Sequence, residues 1–338
     1  MSDTLEPICP TDAKAMYLRE RSTDASDATI KAHDYRLDHF IRWCDIEDID
    51  NLNEISGRDL HRYKLWRQED GDLNQVTVKT QMDTLRVFIR FCESIDAVET
   101  DLHSKVLSPT LGDGQNERDT MLDPKEAETI LDHLRRFQYA SFDHTLLELL
   151  WHTGIRVGGA HALDLCDFFP DEERLEVQHR PGTPLKNKDD GQRLIALSTE
   201  VCGILEDWIA HNRPEVTDDR DREPLLATSQ GRAHKNTLRV AVYRWTRPCM
   251  FADECPHSRE IESCEARDES KRTASKCPSS VSPHAVRRGS ITHHLSEDVP
   301  EKVISDRMNV GQEVLDKHYD QRSEEVKAEQ RRRYLDDL

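Results

Sequence analysis

SPHAVRRGSITHHL, residues 282–295, is the stretch on which the reading of this chain turns. Pro283 marks a helix start, because its fixed φ suits the first helical turn and its missing N–H is not needed there. His284 and Arg287 follow at i, i+3 and share one helix face. A helix start also presents free backbone N–H groups and the positive end of the dipole, so anions are attracted to it. An imidazole and a guanidinium facing the same way at such a place make a candidate surface for handling an anion. The spacing alone is common by chance, so neighbouring stretches have to add to it.

Three of them do, in a fixed order. Upstream, HTGIRVGGAHALDLCDF (152–168) sets Arg156 at a turn between helices, just after the apolar helix DHTLLELLWHTG (143–154). RLEVQH (174–179) and RLIALS (193–198) then read as short strands on either side of RPGTPLKNKDDGQ (180–192), a turn-rich hairpin connection holding Lys186 and Lys188. Downstream, RMNVGQEVLDKHYDQ (307–321) ends in Tyr319, a large aromatic set among Asp316, Lys317, His318 and Asp320. Singly these are a helix cap, a solvated lysine and a packing tyrosine. Together they are two guanidiniums, an imidazole, an ammonium and a phenol. Two arginines can grip the non-bridging oxygens of a phosphodiester and stabilise the charge of its transition state. A phenol can attack phosphorus, provided that local positive charge and a base help a hydroxyl whose ordinary pKa is near ~10. Histidine and lysine can carry the protons of the nucleophile and the leaving group. This chemistry calls for no metal.

The rest of the chain has the length and patterning of two domains. With 338 residues it exceeds one core of ordinary size. ATIKAHDYRLDHFIRWC (28–44) places Ile30, Leu37, Phe40, Ile41 and Cys44 on one helical face, and TVKTQMDTLRVFIRFC (77–92) does the same with Val78, Met82, Leu85, Phe88 and Ile89. Between them SGRDLHRYKLWRQED (56–70) opens at Ser56 like a capped helix. The expectation is a helical domain over 12–107 with scattered cations (Lys31, Arg36, Arg62, Lys64, Arg67, Lys79, Arg86 and Arg90), a linker over 108–118, and a second domain over 119–338. Asp123 and Pro124 read as the cap and first turn of the second domain's first helix. The fold class expected is mainly α with a small β-sheet.

Composition pulls the other way. The net charge is −19, from 66 acidic and 47 basic residues, which taken alone speaks against a polyanionic partner. A salt-adapted protein escapes that objection: in molar salt the Debye length is about 3 Å, so local contacts outweigh net charge. No apolar run approaches a membrane span, and the first residues lack a basic and apolar leader pattern, so a soluble, cytoplasmic protein is expected. Nine cysteines in such a chain read as thiols or metal thiolates in preference to disulfides. Cys249, Cys255, Cys264 and Cys277, with His257 as a spare ligand, could close a tetrahedral structural zinc site in a Cys-rich insertion over 249–277.

The ordered set Arg…Lys…His-x-x-Arg…Tyr resembles the tyrosine recombinase (phage integrase) family, and the acidic composition suits a salt-adapted, haloarchaeal-type member. The resemblance covers nearly the whole chain. It implies an N-terminal SAM-like core-binding domain and an α+β catalytic domain that clamp double-stranded DNA. It further implies a site-specific recombinase or integrase of a mobile element, acting as a homotetramer on paired sites, with no cofactor for catalysis. TGIRVGGAHALDLCDF makes Arg156 the first clamp, HAVRRGSITHHL makes His284 the acid–base partner and Arg287 the second clamp, and VLDKHYDQ makes Tyr319 the nucleophile. Counting back from Ala196 in RLIAL gives Lys188 as the lysine, with Lys186 as the alternative. Two departures stand out: Gly159 replaces a buttressing acid, and Val310, beside Asn309, replaces a phosphate-contacting His or Trp. They favour a second reading, a DNA-binding protein that has lost cleavage. A third is a type IB topoisomerase-like relaxation of strands.

Overall fold

The computed structural model describes residues 5–112, 120–252, 255–268, 273–297 and 299–318, with isolated positions at 325, 329 and 332. The chain divides into two compact units, Met1–Arg118 and Asp119–Leu338. The expected linker lies largely outside the described residues, and Tyr319 lies wholly outside them.

The first unit is helical: α1 (Pro10–Arg21), α2 (Asp27–Ile46), α3 (Gly57–Asp70) and α4 (Gln75–Ser94). Asn74 caps α4 by accepting from Thr77 N–H at 2.9 Å, and Ser56 opens α3 with its N–H donating to Asp59 at 3.0 Å. The apolar stripes of α2 and α4 meet in one core, where Leu37, Phe40, Trp43, Tyr63, Met82, Leu85, Phe88 and Ile89 are buried. Phe40 and Tyr63 pack edge to face with ring centroids 5.2 Å apart, the geometry that ring quadrupoles favour. Two of the cations read as surface charge are structural instead. Arg67 is buried and donates to Gln81 at 2.9 Å, while Arg86 donates to the Val106 carbonyl at 2.7 Å and to Ser108 at 2.9 Å.

The second unit is built around α6 (Phe142–Thr153), packed by α5 (Pro124–Phe137), α8 (Thr199–Asp207), α9 (Lys235–Trp245) and α10 (Pro283–Ser296). Leu146, Leu147, Leu149 and Leu150 run round α6 and are all buried, as a helix surrounded by neighbours requires. Asp123 caps α5 by accepting from Lys125 N–H at 2.8 Å. The short α7 (Val157–Ala162) follows α6, and α11 (Glu301–Met308) and α12 (Gln312–His318) follow α10. A three-stranded antiparallel sheet runs β1 (Phe168–Phe169), β2 (Arg174–Val177), β3 (Arg193–Ala196), with Arg174 opposite Ala196 and Val177 opposite Arg193. A two-stranded ribbon, β4 (Ala227–Thr228) and β5 (Gly231–Arg232), completes the strands among the described residues.

Two glycines allow close approaches, one between α10 and the entry to α5 and one between the end of α6 and α11. Gly289 faces the backbone entering α5 so closely that an added Cβ would sit 2.1 Å from the Leu122 carbonyl oxygen. Gly154 ends α6 with φ 57°, and a Cβ there would also meet Met308 Sδ at 2.5 Å. No helix among the described residues is long and apolar enough to cross a membrane.

Candidate active site

The turn that ends α6 at Gly154 points its carbonyl at Arg287 on α10. Arg287 is 1% exposed, and its Nη1 donates to Gly154 O at 2.6 Å and to Met308 O at 2.7 Å. One guanidinium therefore ties the ends of α6 and α11 together. Arg156 begins α7 two residues after Gly154, with extended backbone and a half-buried side chain. His284 stands in the first turn of α10, after the Ser282 cap and Pro283, with its side chain exposed.

The electrostatics show which groups lie together. Partial desolvation depresses the His284 pKa, and the charges of Arg287, Arg288, Arg156 and Lys186 push it the same way. The imidazole is therefore neutral at pH 7 and able to accept a proton. Arg193, which opens β3, is pushed down to about 10, first by burial and then by the charges of Arg287, Arg156 and Arg307. Like-charged guanidiniums this close together lower one another's affinity for protons, and an anion among them relieves the repulsion.

Arg193 is the residue that sequence reading missed. Its Nε donates to the Arg307 carbonyl at 2.7 Å, and Nη1 donates to Gly191 O at 2.9 Å. Strand alternation could have found it, since Arg193 stands two residues from the buried Ile195 and so shares its inward face. Arg307 returns the link, with Nη1 donating to Ala196 O at 2.6 Å and Nη2 to His152 O at 3.1 Å.

Both candidate lysines are exposed on the β2–β3 connection. Lys186 is one of the charges that act on His284, whereas Lys188 lies in the next turn with left-handed φ 49°. The connection is fixed at its near end by Arg180, which holds Asp167, and by Arg222, which donates to Thr183 Oγ1 at 3.1 Å.

Val310 stands where the resemblance implies a phosphate-contacting His or Trp. It is 5% exposed and packs with Ile291, Leu295, Ile304, Met308 and Leu315, so its side chain belongs to a small apolar core behind the site. Asn309 beside it has left-handed φ 50° and turns its amide to the hairpin. Gly159 is buried, and a Cβ there would press on Ile155 Cγ1 at 2.8 Å, so the expected buttressing acid has no room.

The zinc expectation finds no support in the geometry. Among the described residues no three His, Cys, Asp or Glu side chains form a metal-binding group, and Cys249, Cys255, Cys264 and Cys277 are all described. The Cys-rich segment is held by other bonds: His257 Nε2 lies 2.8 Å from Ser279 Oγ, Arg259 donates to Lys276 O at 3.3 Å, and Arg247 donates to the Ala266 carbonyl.

Comparison with known proteins gives the same assignment from another direction. Residues 16–94 match the phage integrase N-terminal SAM-like domain, and residues 120–312 match the phage integrase family. A probable site-specific recombinase in the afa region of Escherichia coli is 31% identical over 192 residues, which cover 54% of this chain and 61% of that protein. The chain thus spans less than two thirds of that relative. Among solved structures, the Tn1549 transposon integrase in complex with transposon right end DNA superposes with a TM-score of 0.67 at 16% identity, covering 96% of this chain and 99% of that one. A lambda integrase dimer bound to a COC′ core site gives 0.62 at 13% identity, covering 97% and 78%. These two likenesses establish a shared fold. Because the second family match by itself takes in well over half of the sequence, the chain belongs to the phage integrase family.

Proposed function

We propose that this protein is a site-specific DNA recombinase, a mobile-element integrase, that cleaves and rejoins double-stranded DNA through Tyr319. The observation that carries the reading is a group of arginines close enough to act on one another's charge. Arg287, Arg156 and Arg193 act on one another's charge beside a neutral His284, at the start of a helix whose dipole also favours an anion. In the proposed step the arginines hold the non-bridging oxygens of the scissile phosphate. The Tyr319 phenol loses its proton to His284 and bonds to phosphorus. The bond from phosphorus to the 5′-oxygen breaks, and a hairpin lysine gives its proton to that oxygen. A 3′-phosphotyrosyl link and a free 5′-hydroxyl result. Attack by a 5′-hydroxyl from a partner strand reverses the step, so the bond energy is kept without ATP, and every group needed belongs to the chain itself.

Lys186 takes the lysine role ahead of Lys188 in this reading, because its charge reaches His284. The N-terminal unit acts as the core-binding domain, and the working assembly is a tetramer on paired sites, since strand exchange needs four cleavages. The charge of −19 fits a cytoplasm of high salt, in which screening removes long-range repulsion from DNA and leaves the arginine locus in charge of contact. The burial of Val310 and the absence of an acid at Gly159 favour the second reading, a DNA-binding protein without cleavage.

A nicked suicide substrate carrying the protein's own attachment site separates the two. In molar salt the wild-type protein is expected to form a covalent adduct that survives denaturing electrophoresis, and Tyr319→Phe none. No adduct from the wild type would sink the cleaving reading, and joining of strands from two sites distinguishes recombination from topoisomerase-like relaxation.

A further inference from the structure

We propose that Asn309 is a positioning residue that latches the lysine hairpin to the segment leading to Tyr319, and that it does not itself contact the phosphate. The proposal rests on the cleaving reading above. Val310 turns into the apolar core, so the turn that closes α11 offers the site an amide in place of a ring. That turn is locked: Val310 N–H donates to Ser305 O at 3.1 Å, and Ser305 Oγ donates to Val310 O at 2.7 Å. The left-handed backbone at Asn309 then aims its side chain at the β2–β3 connection, and both ends of the amide are engaged there. Oδ1 accepts from Asn187 Nδ2 at 2.9 Å, and Nδ2 donates to Asp190 O at 2.9 Å.

Asn187 directly follows Lys186, and Asn187 and Asp190 together bracket Lys188. The amide therefore holds the part of the hairpin that carries either candidate lysine. The bonds of Arg193 to Arg307 O and of Arg307 to Ala196 O hold the strand that follows. The arginines fix the strand, and the asparagine fixes the turn. An exposed turn of this length samples many conformations unless something holds it. Two neutral hydrogen bonds at a half-exposed position raise the docked fraction roughly tenfold. Protonation of a leaving oxygen requires the ammonium within hydrogen-bond reach, and a misplacement of about 1 Å can cost on the order of 100-fold in rate.

Asn309→Gly tests this cleanly, because glycine keeps the left-handed backbone at no steric cost and removes only the amide. Asn187→Ala removes one partner from the other side. Single-turnover cleavage is measured on two nicked substrates, one with the ordinary 5′-oxygen at the scissile phosphate and one with sulfur bridging there. When the phosphorus–sulfur bond breaks, the thiolate departs without a proton, so the lysine is bypassed. On the oxygen substrate Asn309→Gly is expected to be slowed on the order of 10- to 100-fold with unchanged DNA affinity. On the sulfur substrate it should return to near the wild-type rate, as should Lys186→Ala, and adding Asn187→Ala to Asn309→Gly should cost little more. Wild-type speed on oxygen would overturn the proposal. So would equal slowing on both substrates, which would put Asn309 on the phosphate or in fold maintenance. Failure of the cleaving reading would show itself earlier, as absence of adduct in the wild-type protein.

Discussion

Cations are used differently in the first unit and around the candidate site of the second. In the N-terminal unit charged side chains mostly meet carboxylates. Arg21 lies 2.6 Å from Asp24, Lys14 lies 2.6 Å from Asp34, Lys79 lies 3.2 Å from Asp83, and Arg62 pairs with Glu47 and Asp59. Around the site of the second unit, the hydrogen bonds of Arg193 and Arg307 among the described residues run to main-chain carbonyls, and Arg287 likewise donates to Gly154 O and Met308 O. A carboxylate neutralises a guanidinium, whereas a carbonyl orients it and leaves its charge in place. The same residue types thus make surface ion pairs in the first unit and main-chain-oriented arginines around the candidate site of the second.

The sharpest way to break this contrast is at Arg287. In the proposed cleavage step Arg287 is a transition-state clamp, so Arg287→Ala is expected to lower adduct formation by roughly 10²–10³-fold. It should also destabilise the second unit, by about 1–3 kcal/mol for each carbonyl left without its donor. Denaturant unfolding of the full chain reads the second effect and the suicide substrate the first. Arg287→Lys keeps the charge but loses the planar, longer-reaching guanidinium whose Nη1 meets both carbonyls, so it should recover only part of either. Full activity in Arg287→Lys would mean that charge alone matters and that the carbonyl geometry is incidental.

How much of this was legible in the sequence follows the reach of local rules. The stripes on α2 and α4 were read because helical periodicity repeats the same information every turn, and all of Leu37, Phe40, Val78, Met82 and Leu85 are buried. The His284–Arg287 face was legible because both residues lie in one helix. Arg193 was missed because its partners, Arg156, Arg287 and Arg307, come from three other segments, although its alternation with Ile195 held a hint. Counting residues along the hairpin favoured Lys188 over Lys186, and counting assumes a regular strand where the chain coils at Lys188. Which way the Val310 side chain leaves its turn could not be read from sequence, and it leaves into a small apolar core. Cysteine spacing suggested zinc for a similar reason, since four thiols close in sequence need not converge in space.

Acidity offers a second, smaller test of the difference between the units. Burial holds His144, His152 and His161 neutral, each pushed down to about 4, with Arg135, Arg307 and Lys235 respectively adding to the effect. Between about 4 and 6.5 the unfolded chain binds protons that these native imidazoles refuse, so their contribution is lost as pH falls through that window. Glu148, which lies 3.7 Å from His144, acts in the opposite sense. Burial raises it to about 7, so its contribution is present below 4.5 and lost as pH rises through 7. Three imidazoles outweigh one carboxyl. The net expectation is a loss of about 1–3 kcal/mol on going from pH 7 to pH 5, concentrated in the second unit. In the first unit two histidines, His33 and His39, shift in the same direction, and by less. Amide exchange at pH 5 should therefore open α6 and α7 before α2 and α4, and the reverse order would remove the buried imidazoles as the cause.

The smallest effect belongs to the surface pairs. Arg62 reaches Glu47 and Asp59 with about half of its side chain exposed. Its attraction to them is weak in water, is offset by the entropy of holding a long side chain, and is screened by salt. Arg62→Ala is expected to shift stability by less than ~0.5 kcal/mol, and by less again in molar salt, where the Debye length is shorter than the span of the triad. Adduct formation should not change. A loss above ~1 kcal/mol that persisted in high salt would mean that the carboxylate pairs of the first unit build its fold. The division between neutralised cations there and carbonyl-held cations at the site would then be one of degree, and charge pairing would have to be counted among the forces that hold α2 to α3 beside the packing of Phe40, Trp43 and Tyr63.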